Sequence, residues 1–271
     1  MARQIKLGCS TLLFGGHLLD DALDGIKKAG YSAVELCCIP GMAEHFSTIL
    51  TTEALKKVKQ KVADRGLVIE SLGASGAAGN LDSVKRVLAA AAVLGAPAIT
   101  TATGGASDDE KSFAEVVKQW RDYAKAAADA NVKLSVKPHV RSAVYHGPSS
   151  LRFLKELDTQ WVGINYDPTH IYRTPSNEDP VATFKQLAPH VLTARFRDCA
   201  GRELNIGPVD KQVCGCGVLD IPAYFAVLNE APNISYVTLE IVGASVLELA
   251  KVQDVIERCA KYVNEKNLLK A

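Results

Sequence analysis

Eight times along the chain, a short apolar, β-branched run is followed by an amphipathic helical stretch. The candidate strands are IKLGCS (5–10), AVELCC (33–38), LVIESLG (67–73), AITTAT (98–103), KLSVKP (133–138), VGINYD (162–167), VLTARFRD (191–198) and YVTLEIV (236–242). Helical patterns such as TTEALKKVKQKVADRG and LDSVKRVLAAAAVLG separate them. Gly30, Gly66 and Gly95 stand where helices should stop, a few residues before the next strand. Continuous apolar strands alternating with helices imply a parallel sheet covered by helices. Eight such units in 271 residues point to a closed (β/α)8 TIM barrel of the α/β class rather than an open sheet, since such barrels run to about 250 residues as one unit. The expectation is one domain over residues 1–271, with no linker and no low-complexity segment.

Composition removes several functions. A net charge of +1 gives no basic field for nucleic acid or an anionic membrane. No apolar run approaches the ~20 residues that cross a bilayer, and the start, MARQIKLGCSTLLF, reads as a first strand rather than a leader. The seven cysteines are scattered and odd in number, so they are read as reduced thiols of a cytoplasmic protein. Cys214 and Cys216 form C-x-C, which is not zinc-knuckle spacing, and no second pair lies nearby. Neither GxGxxG after the first strand nor GxxxxGKS/T is present, so nucleotide binding lacks its motif.

Chemistry in such barrels sits at the C-terminal ends of the strands. The polar residues there are Ser10, Glu35 and Cys37, Glu70 and Ser71, Thr101 and Thr103, Lys137 and His139, Asp167 and His170, Arg195, Arg197 and Asp198, and Glu240. Charge concentrates on strands five to eight of the pattern.

The segments NYDPTH (165–170), RFRDC (195–199), GVLD (217–220) and TLEIVG (238–243) resemble the xylose-isomerase-like sugar phosphate isomerase/epimerase barrels, and the resemblance runs over essentially the whole chain. That family includes sugar epimerases, hydroxypyruvate isomerases, inosose dehydratases and isomerases, and the endonuclease IV group. The resemblance implies a divalent metal held by a Glu ending strand five, an Asp ending strand six, a His on strand seven and a Glu ending strand eight. Asp167 matches the Asp, His170 its D-x-x-H partner, Glu240 the last Glu, and Asp198 the Asp of an H-x-K-D run. Two positions depart from the pattern: the strand-five Glu is Lys137, in VKPH, and the strand-seven His is Arg195, in RFRD. A protonated lysine has no lone pair to donate and arginine does not deprotonate, so neither is a ligand.

Charge suggests the replacement. Buried Asp167 and Glu240 need compensation, and Lys137 with Arg195 supplies it without a metal. The expected cofactor is therefore none, the alternative being one divalent ion such as Mn or Mg near Asp167 and Glu240 with a histidine such as His139. The expected catalytic residues are Lys137, Glu240, Asp167 and Arg195: Glu240 as a base, Lys137 as an acid, base or Schiff-base amine, and the arginines stabilising an enediolate. Substrate contacts are assigned to His170, His139, Arg197, Arg173 and Arg202, with Arg141 as a further anion-binding loop residue. Arg197, sharing strand phase with Arg195, is the one expected to lie deeper. Glu35 and Glu70 serve either as site acids or as partners of a neighbouring strand's cation.

The resemblance implies proton transfer next to the carbonyl of a keto sugar, sugar acid or small polyol, as expected of an isomerase or epimerase of carbohydrate metabolism. The alternatives are a lyase or dehydratase on a keto-sugar or inosose-type substrate, and a non-catalytic binding barrel whose Lys137–Glu240 pair plugs a dead site. An endonuclease needs a cluster of metals, which six histidines, few of them at strand ends, do not supply. The partner is a small carbohydrate-like molecule. Oligomerisation stays open, with apolar loops GGHLL and IPGMAEHF suited to cover the pocket or form a contact.

Overall fold

The structure, a computed structural model, describes residues 5–76, 79–231 and 233–269; the outermost residues of the expected 1–271 domain, with 77–78 and 232, lie outside the described residues. Among these described residues nine strands form: β1 (Lys6–Ser10), β2 (Ala33–Ile39), the two-residue β3 (Ala43–Glu44), β4 (Val68–Gly73), β5 (Ala98–Thr101), β6 (Lys133–Val136), β7 (Val162–Tyr166), β8 (Val191–Phe196) and β9 (Tyr236–Leu239). Eight of them pair in parallel in chain order, and β1 pairs with both β2 and β9, which closes the sheet. The ninth, β3, folds back antiparallel on the end of β2. The chain is thus a closed eight-stranded (β/α)8 barrel.

Among the described residues ten α-helices accompany the strands: α1 (Leu19–Lys28), α2 (Thr52–Asp64), α3 (Leu81–Leu94), α4 (Glu110–Ala130), α5 (Gly147–Leu157), α6 (Pro168–Tyr172), α7 (Pro180–Leu187), α8 (Val209–Gln212), α9 (Ile221–Leu228) and α10 (Leu249–Glu265). The short α6 and α8 sit in the connections after β7 and β8, where no helix is expected from periodicity. Side chains cap several N-termini: Thr51 accepts from Ala54 N, Asn80 from Ser83 N, Asp109 from Ser112 N and Asp179 from Ala182 N. Each cap contributes about 1 kcal/mol. Gly30, Gly66 and Gly95 all have left-handed φ, from 64° to 87°, as helix-stop glycines should. No helix among the described residues is long and apolar enough to cross a membrane.

The strands alternate more than their sequences suggest. Val34, Leu36, Ile164, Ala194, Phe196, Val237 and Leu239 join the apolar shell beneath the helices. Their neighbours Glu35, Asn165, Thr193, Arg195 and Thr238 are equally buried but polar. Inside the barrel Ser135 Oγ and Thr193 Oγ1 lie 2.8 Å apart, and Thr238 Oγ1 donates to Glu70 at 2.8 Å. The barrel is therefore filled by a polar and charged interior rather than by the bulky branched side chains usual in this architecture.

Candidate active site

Four charged residues occupy the first position past a strand: Lys137 after β6, Asp167 after β7, Arg197 after β8 and Glu240 after β9. They meet at the C-terminal end of the barrel. Lys137 Nζ donates to both oxygens of Glu240, at 2.6 and 2.7 Å, and lies 3.7 Å from Asp167 Oδ2. Arg197 Nη2 donates to Asp167 Oδ2 at 2.6 Å. Asp167 also caps α6, accepting from Thr169 N at 3.0 Å and Thr169 Oγ1 at 2.7 Å. One carboxylate thus shapes the local turn and receives two cations.

Arg195 lies deeper, within β8 and out of contact with solvent. Its guanidinium reaches three carboxylates: Nη2 donates to Glu35, Nη1 to Glu70 at 3.2 Å, and Nε to Glu240 at 3.3 Å. This corrects two expectations. Arg197, not Arg195, lines the cavity, and Arg195 works beneath it. The physical reason is the strand pleat: residues two apart share a face but stand at different heights. Glu35 and Glu70 are partners of that buried arginine. Ser10 Oγ donates to Glu35 at 2.6 Å, and Thr100 Oγ1 donates to the same carboxylate. Gly73 allows this packing, since a Cβ there would come within 2.8 Å of Cys37 Sγ and 3.1 Å of Glu35 Cδ.

The electrostatics follow from burial against charge. Burial raises the Glu240 carboxyl, but Lys137, Arg197 and Arg195 outweigh it and bring the pKa down to about 2. Asp167 is held well below the usual carboxylate range, its burial overridden chiefly by Arg197. Glu70 moves up instead, because burial there exceeds the pull of Arg195. The carboxylates Glu35, Glu70, Asp167 and Glu240 face the cations Lys137, Arg195, Arg197 and Arg173, so formal charges cancel. The compensation expected of Lys137 and Arg195 is thus spread over a wider neutralised network that includes Arg197, Glu35 and Glu70.

His139 and His170 lie against each other beside it, ring centroids 4.2 Å apart and planes tilted by 39°. Burial first, then nearby cations, lower both imidazoles, His170 well below its ordinary range. His170 Nδ1 faces Val140 N at 3.5 Å and Arg173 Nη2 at 3.4 Å, both donors, so its proton sits on Nε2. His139 Nδ1 donates to Val140 O at 2.8 Å, which leaves Nε2 with a free lone pair.

A cavity of about 400 Å³ opens over these groups, and Lys137, Glu240, His139, His170, Arg197 and Asn165 line it. Arg173 also lines it, though its Nε bonds Thr169 O at 3.0 Å and its Nη1 bonds Leu204 O. Arg141 reaches the mouth and is exposed. Arg202 does not join them. It is exposed on a separate cleft, with its guanidinium 3.9 Å above the Tyr172 ring and Nη1 bonded to Tyr172 O at 2.8 Å. Asp198 turns away too, accepting from Cys199 N, Gly215 N and Leu219 N at 2.9 to 3.1 Å to tie down the connection after β8. Asn165 escaped the sequence reading because an amide inside a strand has no motif. Its one signal is phase, two residues before Asp167.

The donor set does not suit a divalent ion. The two positions where the family resemblance implies Glu and His hold Lys137 and Arg195, and the oxygens of Asp167 and Glu240 already accept from cations. Among the described residues no group of three or more His, Cys, Asp or Glu is placed to hold a metal. Cys214 and Cys216 do not converge either: Cys214 is buried beside Cys259, and Cys216 lies 3.6 Å from Arg258 Nη2.

The family model of the xylose isomerase-like TIM barrel matches residues 23–262. No curated protein matches the chain. Among solved structures, the probable 3-DHS dehydratase AsbF involved in petrobactin synthesis from Bacillus anthracis aligns with a TM-score of 0.79 at 18% identity, over 96% of this chain and 99% of that one. The IOLI protein with a binding zinc atom gives 0.77 at 14%, over 97% and 99%. D-psicose 3-epimerase in the presence of D-fructose gives 0.77 at 13%, over 96% and 99%. At these identities the likeness is one of fold.

Proposed function

From the premise that the chain belongs to the xylose isomerase-like TIM barrel family, we propose that it moves a proton next to the carbonyl of a small carbohydrate-like substrate, as an isomerase or epimerase. The substrate class is a keto sugar, sugar acid or related small polyol. The observation that carries this reading is the cavity itself. It brings a neutral histidine with a free nitrogen, His139, to the same wall as Lys137 and Arg197. Abstraction next to a carbonyl needs a base and a cation at the developing enediolate oxygen. With its pKa at about 2, Glu240 is a weak base, so His139 takes that role. Lys137 and Arg197 face the oxygen, Glu240 holds Lys137 in place, and Asp167 orients Arg197. Arg195 acts from beneath as a positioning residue for Glu240. No metal enters the proposed reaction, because fixed cations stand where ligands are needed. A cytoplasmic setting belongs to the same proposal, carried by the odd, scattered cysteines.

A lyase begins with the same abstraction and then expels a β-hydroxyl, so the same residues serve a dehydratase. The non-catalytic reading has one observation in its favour, the complete pairing of Lys137 with Glu240. Incubation of keto sugars and sugar acids in D2O, followed by proton NMR, separates the three. Wash-in of deuterium with epimer or aldose formation supports the isomerase, and loss of water identifies the lyase. Ligand-induced melting shifts without any exchange would leave a binding protein. His139→Gln and Lys137→Met should each cut exchange at least 100-fold, in the range typical of general base and electrostatic contributions.

A further inference from the structure

The Cys-Gly-Cys turn after α8 carries chemistry that neither the fold nor the cavity uses. Cys216 N donates to Val213 O at 2.9 Å, and Gly215, between the two cysteines, takes a φ of 82°, the conformation of a type II turn. The last helix, α10, packs on this turn residue by residue. Arg258 Nη2 donates to Cys216 Sγ at 3.6 Å, Cys259 is in hydrogen-bonding contact with Cys214, and the Tyr262 ring is 2.5 Å from where a Gly215 Cβ would stand. Of the seven cysteines six are buried, and Cys216, only half-buried, is the one most open to solvent.

These contacts give the thiols different tasks. A thiolate is the nucleophile towards an oxidant, and at Cys216 a charged N–H of Arg258 points at the sulfur, while Nη1 of the same guanidinium pairs with Asp254 at 3.3 Å. The Cys259 contact and burial raise the Cys214 thiol well above its ordinary range, so it stays protonated and serves as the second thiol. Two residues apart, the Cα atoms of Cys214 and Cys216 span at most about 7 Å. The turn shortens that towards the ~4.4–6.8 Å that a disulfide bridges. We infer that Cys216 is a site of oxidation by a hydroperoxide and that Cys214 closes on it as a disulfide. The Cys216 sulfur attacks one peroxide oxygen, the O–O bond breaks, and the other oxygen leaves as hydroxide, which the thiol's proton converts to water; the sulfur becomes a sulfenic acid. Cys214 then attacks that sulfur, the S–O bond breaks, and the hydroxyl departs with the Cys214 proton as water. The two thiols together lose two electrons, and the peroxide gains them. Gly215 stands at the centre of the ring so formed. Its N–H donates to Asp198 Oδ2 at 3.1 Å, so the modification bears on the residue that ties down the connection after β8.

Peptide mapping after treatment of the native protein with hydrogen peroxide tests this. Trypsin sites place Cys214 and Cys216 in one peptide, Gln212–Lys251, and Cys259 in another, Cys259–Lys261. The first peptide should become two hydrogens lighter and regain them with dithiothreitol. A bridge from Cys214 to Cys259, or a first peptide that stays reduced, overturns the inference. In Cys214→Ala, which has no second thiol on the turn, dimedone should capture a sulfenic acid at Cys216 about tenfold or more faster than at any other cysteine. Adding Arg258→Met, at a partly exposed position on α10, should slow that capture about threefold or more. Equal labelling of all the thiols, or no effect of Arg258→Met, also overturns it. Should Cys214→Ala fail to fold, the mass of the wild-type peptide still decides. The oxidised wild type should melt a few degrees lower and recover with dithiothreitol, as Asp198 loses its hold on Gly215; an unmoved melting temperature would refute that link. These readouts are masses and melting, not turnover, so the outcome stands apart from the isomerase reading.

Discussion

Lys137 decides how the site is charged. Removing it leaves Glu240 buried with Arg195 and Arg197 still in reach. Breaking a buried pair costs ~3–5 kcal/mol when one charge is left alone, and here two cations remain, so Lys137→Met should destabilise by about 1–3 kcal/mol in urea unfolding. The sign of the pH effect follows from Glu240. Its folded pKa is depressed from 4.5 to about 2, so its stabilisation is complete above pH 4.5 and is lost as pH falls towards 2. The stability advantage of the wild type over Glu240→Gln should shrink through that window and stay constant above it; an advantage unchanged at pH 2 would refute the ion pair. His139 makes a separate pH prediction. Burial holds it below 6.5, so the acid limb of any exchange rate should show an apparent pKa below 6.5. A limb at or above 6.5 would overturn the assignment of His139 as the base. Lys137, Asp167 and Glu240 were legible as residues because each follows an apolar strand run. Arg195 and Arg197 were legible as a pair but not in depth, since strand phase gives direction and not height.

At the level of elements, the connection after β8 matters most. It supplies Leu204, Asn205 and Ile206 to the cavity and is anchored by Asp198, which is buried and accepts three backbone N–H groups. Asp198→Ala should destabilise by about 2–3 kcal/mol, the range for orphaned buried donors, and should weaken substrate binding through the loosened wall. Asp198→Asn, which keeps one acceptor oxygen, should lose less. Calorimetric melting compares the two. The same packing explains the CGCG segment, read at first only as a poor metal motif. A Cβ on Gly217 would sit 2.3 Å from Asp198 Oδ1 and from Cys199 O, so this glycine serves close approach of the loop. The strands and long helices were legible from periodicity, with ends shifted by a few residues. The helices α6 and α8 were not, because five and four residues are too few to show a helical period.

For the whole molecule, eight strand–helix units close into one barrel whose interior carries paired opposite charges, and we propose that these pairs stand in place of a metal ion. Protein purified without chelator should therefore contain near-zero tightly held metal by elemental mass spectrometry, and its melting temperature should not move with EDTA or Mn²⁺. About one metal per chain would overturn the charge-replacement design. The sequence by itself determined the architecture, because alternating periods of two and 3.6 over eight units leave few topologies that bury every apolar face. It also determined which charges stand at the strand ends. Only the tertiary structure decided how they pair. That depends on the register around a ring closed between β1 and β9, a long-range condition that no local window contains. That register sets Arg195 beneath three carboxylates, turns Arg202 outward onto Tyr172, and leaves the Asn165 amide without a protein partner at the cavity wall.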